Sequence, residues 1–235
     1  MSGMRTIGIL GGIGPQATID FEARLHTAAQ AILPQHVNEG YPPMVTVYLR
    51  HAPVLVNERG MPSAPLTLDP RVLDAAERLG QWADLLICPS NTPHFFVDEI
   101  EAASGCEMLS IVDVAVAELR RRAVQRVGLT GLGVPKVYSQ RLAAEGFEVV
   151  VAGDAEIEGL DGAILRLTEG RTTAAHRAAA QAAVDAVRAQ GVEATILGCT
   201  EIPLLLGDSV DAKDLVNPAQ LLAEAAIRRA TESPE

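Results

Sequence analysis

Short, nearly continuous apolar runs alternate along the chain with longer amphipathic segments. Such runs predict strands that are buried on both faces of a sheet, and the helical period between them predicts covering helices. The predicted strands are Thr6–Leu10, Met44–Leu49, Leu85–Cys88, Met108–Ile111, Val127–Thr130, Glu148–Val151 and Ala194–Leu197. Helical patterns cover Pro70–Trp82, Val112–Arg122, Ala174–Gln190 and Pro218–Thr231. This alternation is typical of α/β proteins with mainly parallel sheets flanked by helices.

Two motifs of the first half of the chain recur in the second half. The glycine-rich turn at 8–15 shares the spacing of its Gly, Gly and Pro with the turn at 128–135. An apolar run that ends in Cys-Pro-Ser-Asn-Thr at 88–92 is matched by one that ends in Gly-Cys-Thr at 198–200. The repeats indicate two similar α/β half-domains, although such turns also resemble one another because few turn types join strands to helices.

The two half-domains are expected to divide near residue 113. We expect the first to span 1–112, with a C-terminal helix at 215–235 returning to it, and the second to span 113–214. Ligands of open α/β sheets bind beyond the carboxyl ends of the strands, and all four repeated segments follow predicted strands. The sequence therefore predicts an active site in a cleft between two pseudo-symmetric halves, where these four loops converge.

Charge and composition narrow the set of partners. The 235 residues carry a formal net charge of −11 and only 3% aromatic side chains, so we expect neither nucleic acid nor a membrane surface as a partner. No segment has the roughly 20 apolar residues of a membrane span, and the N-terminus lacks the features of a signal peptide. The three cysteines form no CxxC pair, which favours a reducing, cytoplasmic compartment. A small anionic substrate is compatible with this charge.

The turn after the first predicted strand, Gly12-x-Gly14-x-x-Ala17, is similar to a dinucleotide-binding motif. That motif also needs an acidic residue about 20 positions further on, at the end of the second strand. Here the second predicted strand ends at Leu49 and Arg50 follows it, which disfavours a nicotinamide cofactor. Two alternatives remain: a tight turn without a ligand, or a cradle in which backbone N–H groups near Gly12 bind a carboxylate.

Cys199 follows a predicted strand and precedes a predicted turn into a helix. The positive end of a helix can lower the pKa of a thiol from about 8.5 to between roughly 3.5 and 7.5. Cys199 is therefore a candidate thiolate base. The alternative is a small side chain packed at a tight turn, since free cysteines are often buried and inert.

Ser90 occupies the equivalent position in the first half of the chain. A hydroxyl is a much weaker acid than a thiol and needs an adjacent base. His94, four residues further on, would share a helix face with Ser90, so a Ser–His relay is one hypothesis and a capping or packing role for His94 is the other. Cys88 lies two residues upstream within the predicted strand, and we do not expect it to replace Ser90.

Three ordered segments resemble motifs of the aspartate/glutamate racemase superfamily. The segment at 198–203, Gly-Cys-Thr-Glu-Ile-Pro, is similar to the second catalytic motif of these enzymes. The segment at 7–18 resembles the opening of aspartate racemases, and 89–94 resembles the first catalytic motif, in which the family has Cys where this chain has Ser90. Glu201 stands where glutamate racemases have His, which favours the aspartate racemase branch.

The resemblance implies an enzyme that needs neither a metal nor pyridoxal phosphate nor any other cofactor. One cysteine removes the α-proton of an amino acid or dicarboxylate substrate, and a second group returns a proton to the opposite face. In this chain Cys199 would be the acid/base thiol and Ser90 its partner. The resemblance also implies a homodimer and a set of substrate contacts, which are Gly12, Arg59, Asn91, Thr92, Thr130 and Thr200. Capping of a following helix is the alternative role for the Asn and Thr side chains.

The chain departs from the family pattern at a second position. Aspartate racemases carry a Lys near the end of a helix in mid-chain, and Thr168 stands there in this chain. Arg166 or Arg171 could replace it, although most arginines lie on the surface. These departures keep two alternatives open. One is a decarboxylase or isomerase of small carboxylic acids that needs a single thiol, and the other is a carboxylate-binding protein without catalytic activity.

Overall fold

The computed structural model describes residues 3–37, 39–57 and 62–232. The chain separates into two compact units, unit 1 (1–111 with 219–235) and unit 2 (112–218). Within the described residues, each unit contains a four-stranded sheet whose neighbouring strands are all parallel. This architecture confirms the predicted α/β class with parallel sheets.

Unit 1 is built on a sheet with the spatial order β2-β1-β3-β4. Its strands are β1 (Ile7–Gly11), β2 (Met44–Tyr48), β3 (Leu85–Ile87) and β4 (Glu107–Leu109). Its helices are α1 (Pro15–Ile32), α2 (Pro70–Gly80) and α3 (Val97–Ser104), and a 3-10 turn, Thr92–Phe96, precedes α3. The core between α2, α3 and the sheet includes Val72, Leu79, Leu86 and Ile100, all of which are buried.

The local sequence explains where these elements lie and begin. The central strands β1 and β3 are buried at every residue, which accounts for their continuous apolar sequences. Gly14 precedes α1 with φ 86°, and Pro15 occupies the first helical position. Asp69 caps α2 because its side chain accepts a hydrogen bond from the backbone N–H of Arg71.

Unit 2 repeats this arrangement with the spatial order β6-β5-β7-β8. Its strands are β5 (Arg126–Thr130), β6 (Glu148–Val150), β7 (Ala194–Leu197) and β8 (Leu215–Val216). Helix α4 (Ile111–Arg121) leads into the unit, followed by α5 (Lys136–Ala144), α6 (Asp154–Thr168), α7 (Ala174–Arg188) and α8 (Ile202–Leu206). Leu160 and Ile164 of α6 pack with Val184 of α7 and Leu197 of β7 in its core.

The repeated sequence motifs occupy equivalent places in the two sheets. The glycine-rich turns follow the central strands β1 and β5, and the segments that contain Ser90 and Cys199 follow β3 and β7. Because all strands within a sheet are parallel, the two motifs of each unit lie at the carboxyl edge of that unit's sheet.

The helical pattern predicted at Pro218–Thr231 is confirmed as α9. The wider returning segment at 215–235 is not helical throughout, because Leu215 and Val216 form β8, which pairs with β7. Two apolar residues flanked by polar ones are too short a run to indicate a strand. Likewise β4 ends at Leu109, and Ile111 opens α4 instead of closing the strand.

Helix α9 belongs to unit 1. Its carbonyl at Ala230 accepts a hydrogen bond from the backbone N–H of Arg5, at 2.8 Å. Arg229 forms an ion pair with Glu107 of β4 at 2.9 Å. Every helix in the part of the chain that the structure describes is too short or too polar to cross a membrane.

Candidate active site

Gly12 and Ser90 follow the neighbouring strands β1 and β3 at the carboxyl edge of the unit 1 sheet. Ile9 of β1 pairs with Ile87 of β3, and Gly12 and Ser90 each follow this pair by the same number of residues. Ser90 is half-buried. Asn91 and Thr92 follow it and are also half-buried, and the carbonyl of Asn91 accepts a hydrogen bond from the backbone N–H of His94.

Gly12 is required by the backbone of this turn. Its φ of +77° lies in the left-handed region, and a Cβ there would lie 2.4 Å from the carbonyl oxygen of Leu49. Its N–H donates to the Oγ1 atom of the buried Thr18 at 2.9 Å. Because the Gly12 N–H already donates to a side chain of the protein, the structure favours a tight turn without a ligand. A substrate contact through Gly12 stays a prediction.

Cys88 and His94, on either side of Ser90 in the sequence, are buried and in contact with each other. Burial raises the pKa of the Cys88 thiol to about 12, although the backbone N–H of Ser90 acts in the opposite direction. His94 is 9% exposed, and its Nε2 atom lies 3.1 Å from the carbonyl oxygen of Cys88. Since a carbonyl only accepts hydrogen bonds, Nε2 is the donor. This contact favours the packing role for His94, and Cys88 stays a neutral thiol at neutral pH.

Arg59 was predicted as a substrate contact in the first half of the chain. It falls within 58–61, outside the described residues. Its role therefore stays a prediction.

Cys199 lies at the carboxyl edge of the unit 2 sheet, beside the end of β5. Thr130 of β5 pairs with Leu197 of β7, and the Gly198 N–H donates to the Thr130 carbonyl oxygen at 2.7 Å. The Thr130 hydroxyl donates to the carbonyl oxygen of Ile196 at 3.1 Å. A Cβ on Gly198 would lie 2.6 Å from the Thr130 carbonyl oxygen, so only glycine fits between the two strand ends. These contacts fix the backbone from which the Cys199 side chain projects.

Cys199 is paired with a buried carboxylate. Its Sγ atom donates a hydrogen bond to Oε2 of Glu201 at 3.0 Å, and the hydroxyl of Thr200 donates to the same oxygen at 3.2 Å. Glu201 is 6% exposed, whereas Cys199 is half-buried. Thr200 therefore orients the carboxylate that receives the hydrogen bond of the thiol.

The prediction of a low pKa for Cys199 is wrong for this state. Burial raises the pKa of the thiol well above its usual range, and the charge and hydrogen bond of Glu201 raise it further. The backbone N–H of Glu201 acts against this shift, while Asp161 adds to it. The helix that follows, α8, has only five residues and begins after Glu201. Cys199 is accordingly a neutral thiol at neutral pH, with a proton acceptor in contact.

Two further residues near Cys199 were not predicted from the sequence. Asp161 of α6 accepts a hydrogen bond from the backbone N–H of Gly133 at 2.7 Å, which joins α6 to the glycine-rich turn. Tyr138 is fully buried, and both burial and the charge of a Cys199 thiolate raise the pKa of its phenol. Both are remote from Cys199 in sequence, and no local motif marks them. Glu201 lies two residues after Cys199 in the sequence, but its burial and its hydrogen bond with the thiol are visible only in the folded chain.

Arg166 and Arg171 were the candidates to replace the Lys of aspartate racemases. Arg166 forms an ion pair with Glu169 at 2.6 Å, and Arg171 approaches the same carboxylate at 3.7 Å. Their side chains are 50% and 72% exposed. Thr168 is also exposed, and its hydroxyl donates to the carbonyl oxygen of Leu165 at 2.8 Å. These surface contacts do not support a role for either arginine in substrate binding.

Each unit thus presents one of the predicted catalytic residues at the carboxyl edge of its sheet, Ser90 in unit 1 and Cys199, paired with Glu201, in unit 2. Across 3–37, 39–57 and 62–232, no three His, Cys, Asp or Glu side chains are grouped so that they could hold a metal ion. The groups present can donate, accept and relay protons.

The arrangement matches known proteins in sequence and in fold. Residues 10–226 match the family model described as Asp/Glu/Hydantoin racemase. The chain is 27% identical over 147 residues to the broad specificity amino-acid racemase RacX of Bacillus subtilis (strain 168). That match covers 61% of this chain and 63% of RacX, so it spans less than two thirds of the relative.

Solved structures share the fold over nearly the whole chain. An aspartate racemase homologue from Pyrococcus horikoshii OT3 has a TM-score of 0.76 and 24% identity, with 97% of this chain and 100% of that chain covered. Picrophilus torridus aspartate racemase also has a TM-score of 0.76, with 19% identity and coverage of 96% and 94%. The family match over residues 10–226 confirms the superfamily expected from the three motifs: this chain belongs to the Asp/Glu/Hydantoin racemase family.

Proposed function

We propose that this chain is a cofactor-independent amino-acid racemase in which Cys199 and Ser90 act on the α-hydrogen of the substrate. The observation that carries the proposal is the hydrogen bond from the Cys199 thiol to the buried carboxylate of Glu201. A thiol with a fixed proton acceptor in contact can both lose and regain a proton, which is what racemisation asks of each catalytic group.

Cys199 serves one face of the substrate. To abstract the α-proton, the thiol first passes its own proton to Glu201, and the resulting thiolate takes the hydrogen from the α-carbon. The electron pair of the broken C–H bond stays on the substrate as a carbanion, and Glu201 holds the extra proton. In the reverse direction the neutral thiol protonates the carbanion directly. The raised pKa of Cys199 favours this second role, because the thiol is already protonated at neutral pH.

Ser90 serves the other face. Its hydroxyl is a poor base by itself, so abstraction on this side is slower than on the Cys199 side. A racemase must still reach equal amounts of both enantiomers at equilibrium. The two enantiomers therefore differ in both kcat and KM, while their kcat/KM values stay equal.

Proton exchange tests the proposal directly. Each enantiomer of a panel of amino acids is incubated in D₂O, and α-deuteration is measured by mass spectrometry. We expect incorporation with at least one amino acid, and loss of that incorporation in Cys199→Ala at an unchanged melting temperature. Cys106→Ser is the matched control, since Cys106 is another reduced thiol, buried in unit 1 and outside the site. Absence of deuteration with every amino acid would rule out the racemase.

A second function is favoured by the state of the thiols. Cys199 is the half-buried one of the three, whereas Cys88 and Cys106 are buried. A protonated lone thiol suits a decarboxylase, in which loss of CO₂ from a malonate leaves a carbanion and Cys199 donates its proton to that carbon. Release of CO₂ from substituted malonates, abolished by Cys199→Ser, together with no α-deuteration of amino acids, would favour this function over racemisation.

A further inference from the structure

The loop beside Cys199 exposes two aliphatic side chains. Leu132 is 50% exposed and Val134 is 42% exposed, and both lie in the turn that follows β5. Thr130 of β5 pairs with Leu197 of β7. Leu132 lies two residues after Thr130, and Cys199 lies two residues after Leu197, so the two residues belong to neighbouring loops at the same edge of the sheet. The two loops are in contact, because a Cβ on Gly131 would lie 3.1 Å from the Gly198 carbonyl oxygen. Single exposed apolar side chains are common, but here two of them share a short loop at the reactive thiol.

The charges around this thiol are unfavourable for a second carboxylate on the substrate. Glu201 and Asp161 both act on Cys199, and both are acids. Asp161 also accepts the hydrogen bond of the Gly133 N–H, so the chain's own carboxylate uses that donor of the loop. Arg166 and Arg171 are engaged at the surface with Glu169. An acidic side chain on the substrate would meet the like charges of Glu201 and Asp161 beside the thiol.

We propose that the substrate of this enzyme is an amino acid with a neutral, aliphatic side chain, which packs against Leu132 and Val134 next to Cys199. The inference rests on the proposed racemase function and names the substrate class of that same site. It explains why the loop retains aliphatic residues in contact with solvent, since an aliphatic side chain of the substrate would cover them.

A substrate panel separates this inference from the function on which it rests. Alanine, valine, leucine and methionine are compared with aspartate, glutamate and lysine as α-deuteration substrates at equal concentration in D₂O. We expect kcat/KM for the best aliphatic amino acid to exceed that for aspartate and glutamate by roughly ten-fold or more. Fastest exchange with aspartate, glutamate or lysine overturns the substrate class and leaves the racemase intact. No exchange with any amino acid removes both.

Single substitutions of Leu132 provide a second test of the proposed substrate class. Leu132→Arg places a cation beside the thiol, and we expect roughly a ten-fold loss of kcat/KM for the aliphatic substrate with a gain for aspartate or glutamate. Leu132→Asn preserves the size of the side chain and should lower aliphatic turnover without the gain. Trp82→Arg is the control, because Trp82 is 75% exposed and precedes β3, at the amino edge of the unit 1 sheet. Equal effects of Leu132→Asn and Trp82→Arg on aliphatic kcat/KM, with folding verified by melting temperature, contradict the proposal.

Discussion

The Sγ atom of Cys199 donates a hydrogen bond to Oε2 of Glu201 across 3.0 Å. The thiol is therefore held in its protonated form by the group that can accept its proton. This relationship differs from a thiolate stabilised by the N-terminus of a helix, and it makes the chemistry of Cys199 depend on one buried carboxylate.

Glu201→Gln should separate the acidity of the thiol from its catalytic use. Removal of the negative charge lowers the pKa of Cys199, although burial keeps it above the usual range. The amide accepts a proton poorly, so we expect the α-deuteration rate to fall by about 100-fold. The midpoint pH of Cys199 alkylation by iodoacetamide, located by mass spectrometry, reports the change in acidity. Glu169→Gln, which alters a surface ion pair, is the control. An unchanged midpoint would contradict the assigned cause of the shift.

The pH dependence of the wild-type enzyme follows from the same shift. A raised pKa means that little thiolate is present at neutral pH, and the thiolate fraction grows as the pH rises. We expect the deuteration rate on the enantiomer served by Cys199 to increase with a midpoint above about 8.5, the ordinary pKa of a thiol. A rate that is already maximal at pH 6 would show instead that transfer of the proton to Glu201 supplies all of the thiolate in the working enzyme.

Ser90→Cys should speed the slower half of the reaction. A thiol is a stronger acid than a hydroxyl, so proton transfer on the unit 1 side becomes easier. We expect kcat to rise for the enantiomer whose proton leaves on that side, measured by polarimetry in both directions. Ser90→Ala should lower the same rate. If Ser90→Cys reduces both rates, the site is adapted to chemistry other than two-sided proton transfer.

Asp69 supplies a prediction for stability. The pKa of Asp69 is lowered to about 2 from an ordinary value of 3.8, and the largest cause is the hydrogen bonding of its carboxylate with the Arg71 side chain. A lowered pKa contributes stability above pH 4, and that contribution is lost as the pH falls towards 2. Asp69→Asn preserves the helix cap but removes the ion pair, and should cost about 1 kcal/mol at pH 7 after allowance for the exposed Arg71. Urea unfolding should show this difference shrinking between pH 4 and pH 2, and a constant difference would contradict it.

Gly198→Ala tests the packing that fixes the Cys199 loop. The added methyl group would lie 2.6 Å from the Thr130 carbonyl oxygen, so the strand ends must separate. We expect a loss of about 1–3 kcal/mol in the free energy of unfolding and a lower kcat. Gly162→Ala is the matched control, because it lies within α6 with nothing within 4 Å of the new atom. That substitution should be neutral or stabilising by about 0.5–1 kcal/mol, as alanine favours a helix.

The extent of sequence-based prediction differs between the fold and the site. Central strands such as β1 and β7 were predicted because strands buried on both faces have continuous apolar sequences. Strand β8 was missed because two residues are too few to form a pattern. The repeated turns were recognised from their glycines, since the Gly12 position accepts no Cβ.

The environment of Cys199 could not be derived in the same way. Its position after a strand was visible, but its acidity depends on how deeply Glu201 is buried and on Asp161, which arrives from a distant helix. Burial and long-range electrostatics are properties of the folded chain, so a rule based on the next helix in sequence gave the opposite sign for the pKa shift.

The return of α9 to unit 1 affects the order in which the two units can be completed during translation. Unit 2 is one continuous segment, complete once residue 218 has been made. Unit 1 must wait for α9, which bonds Arg5, pairs with Glu107 and follows unit 2 in the chain. The sheet of unit 1 therefore cannot complete its packing until the chain has been extended past unit 2, whereas unit 2 takes all its strands from one uninterrupted stretch.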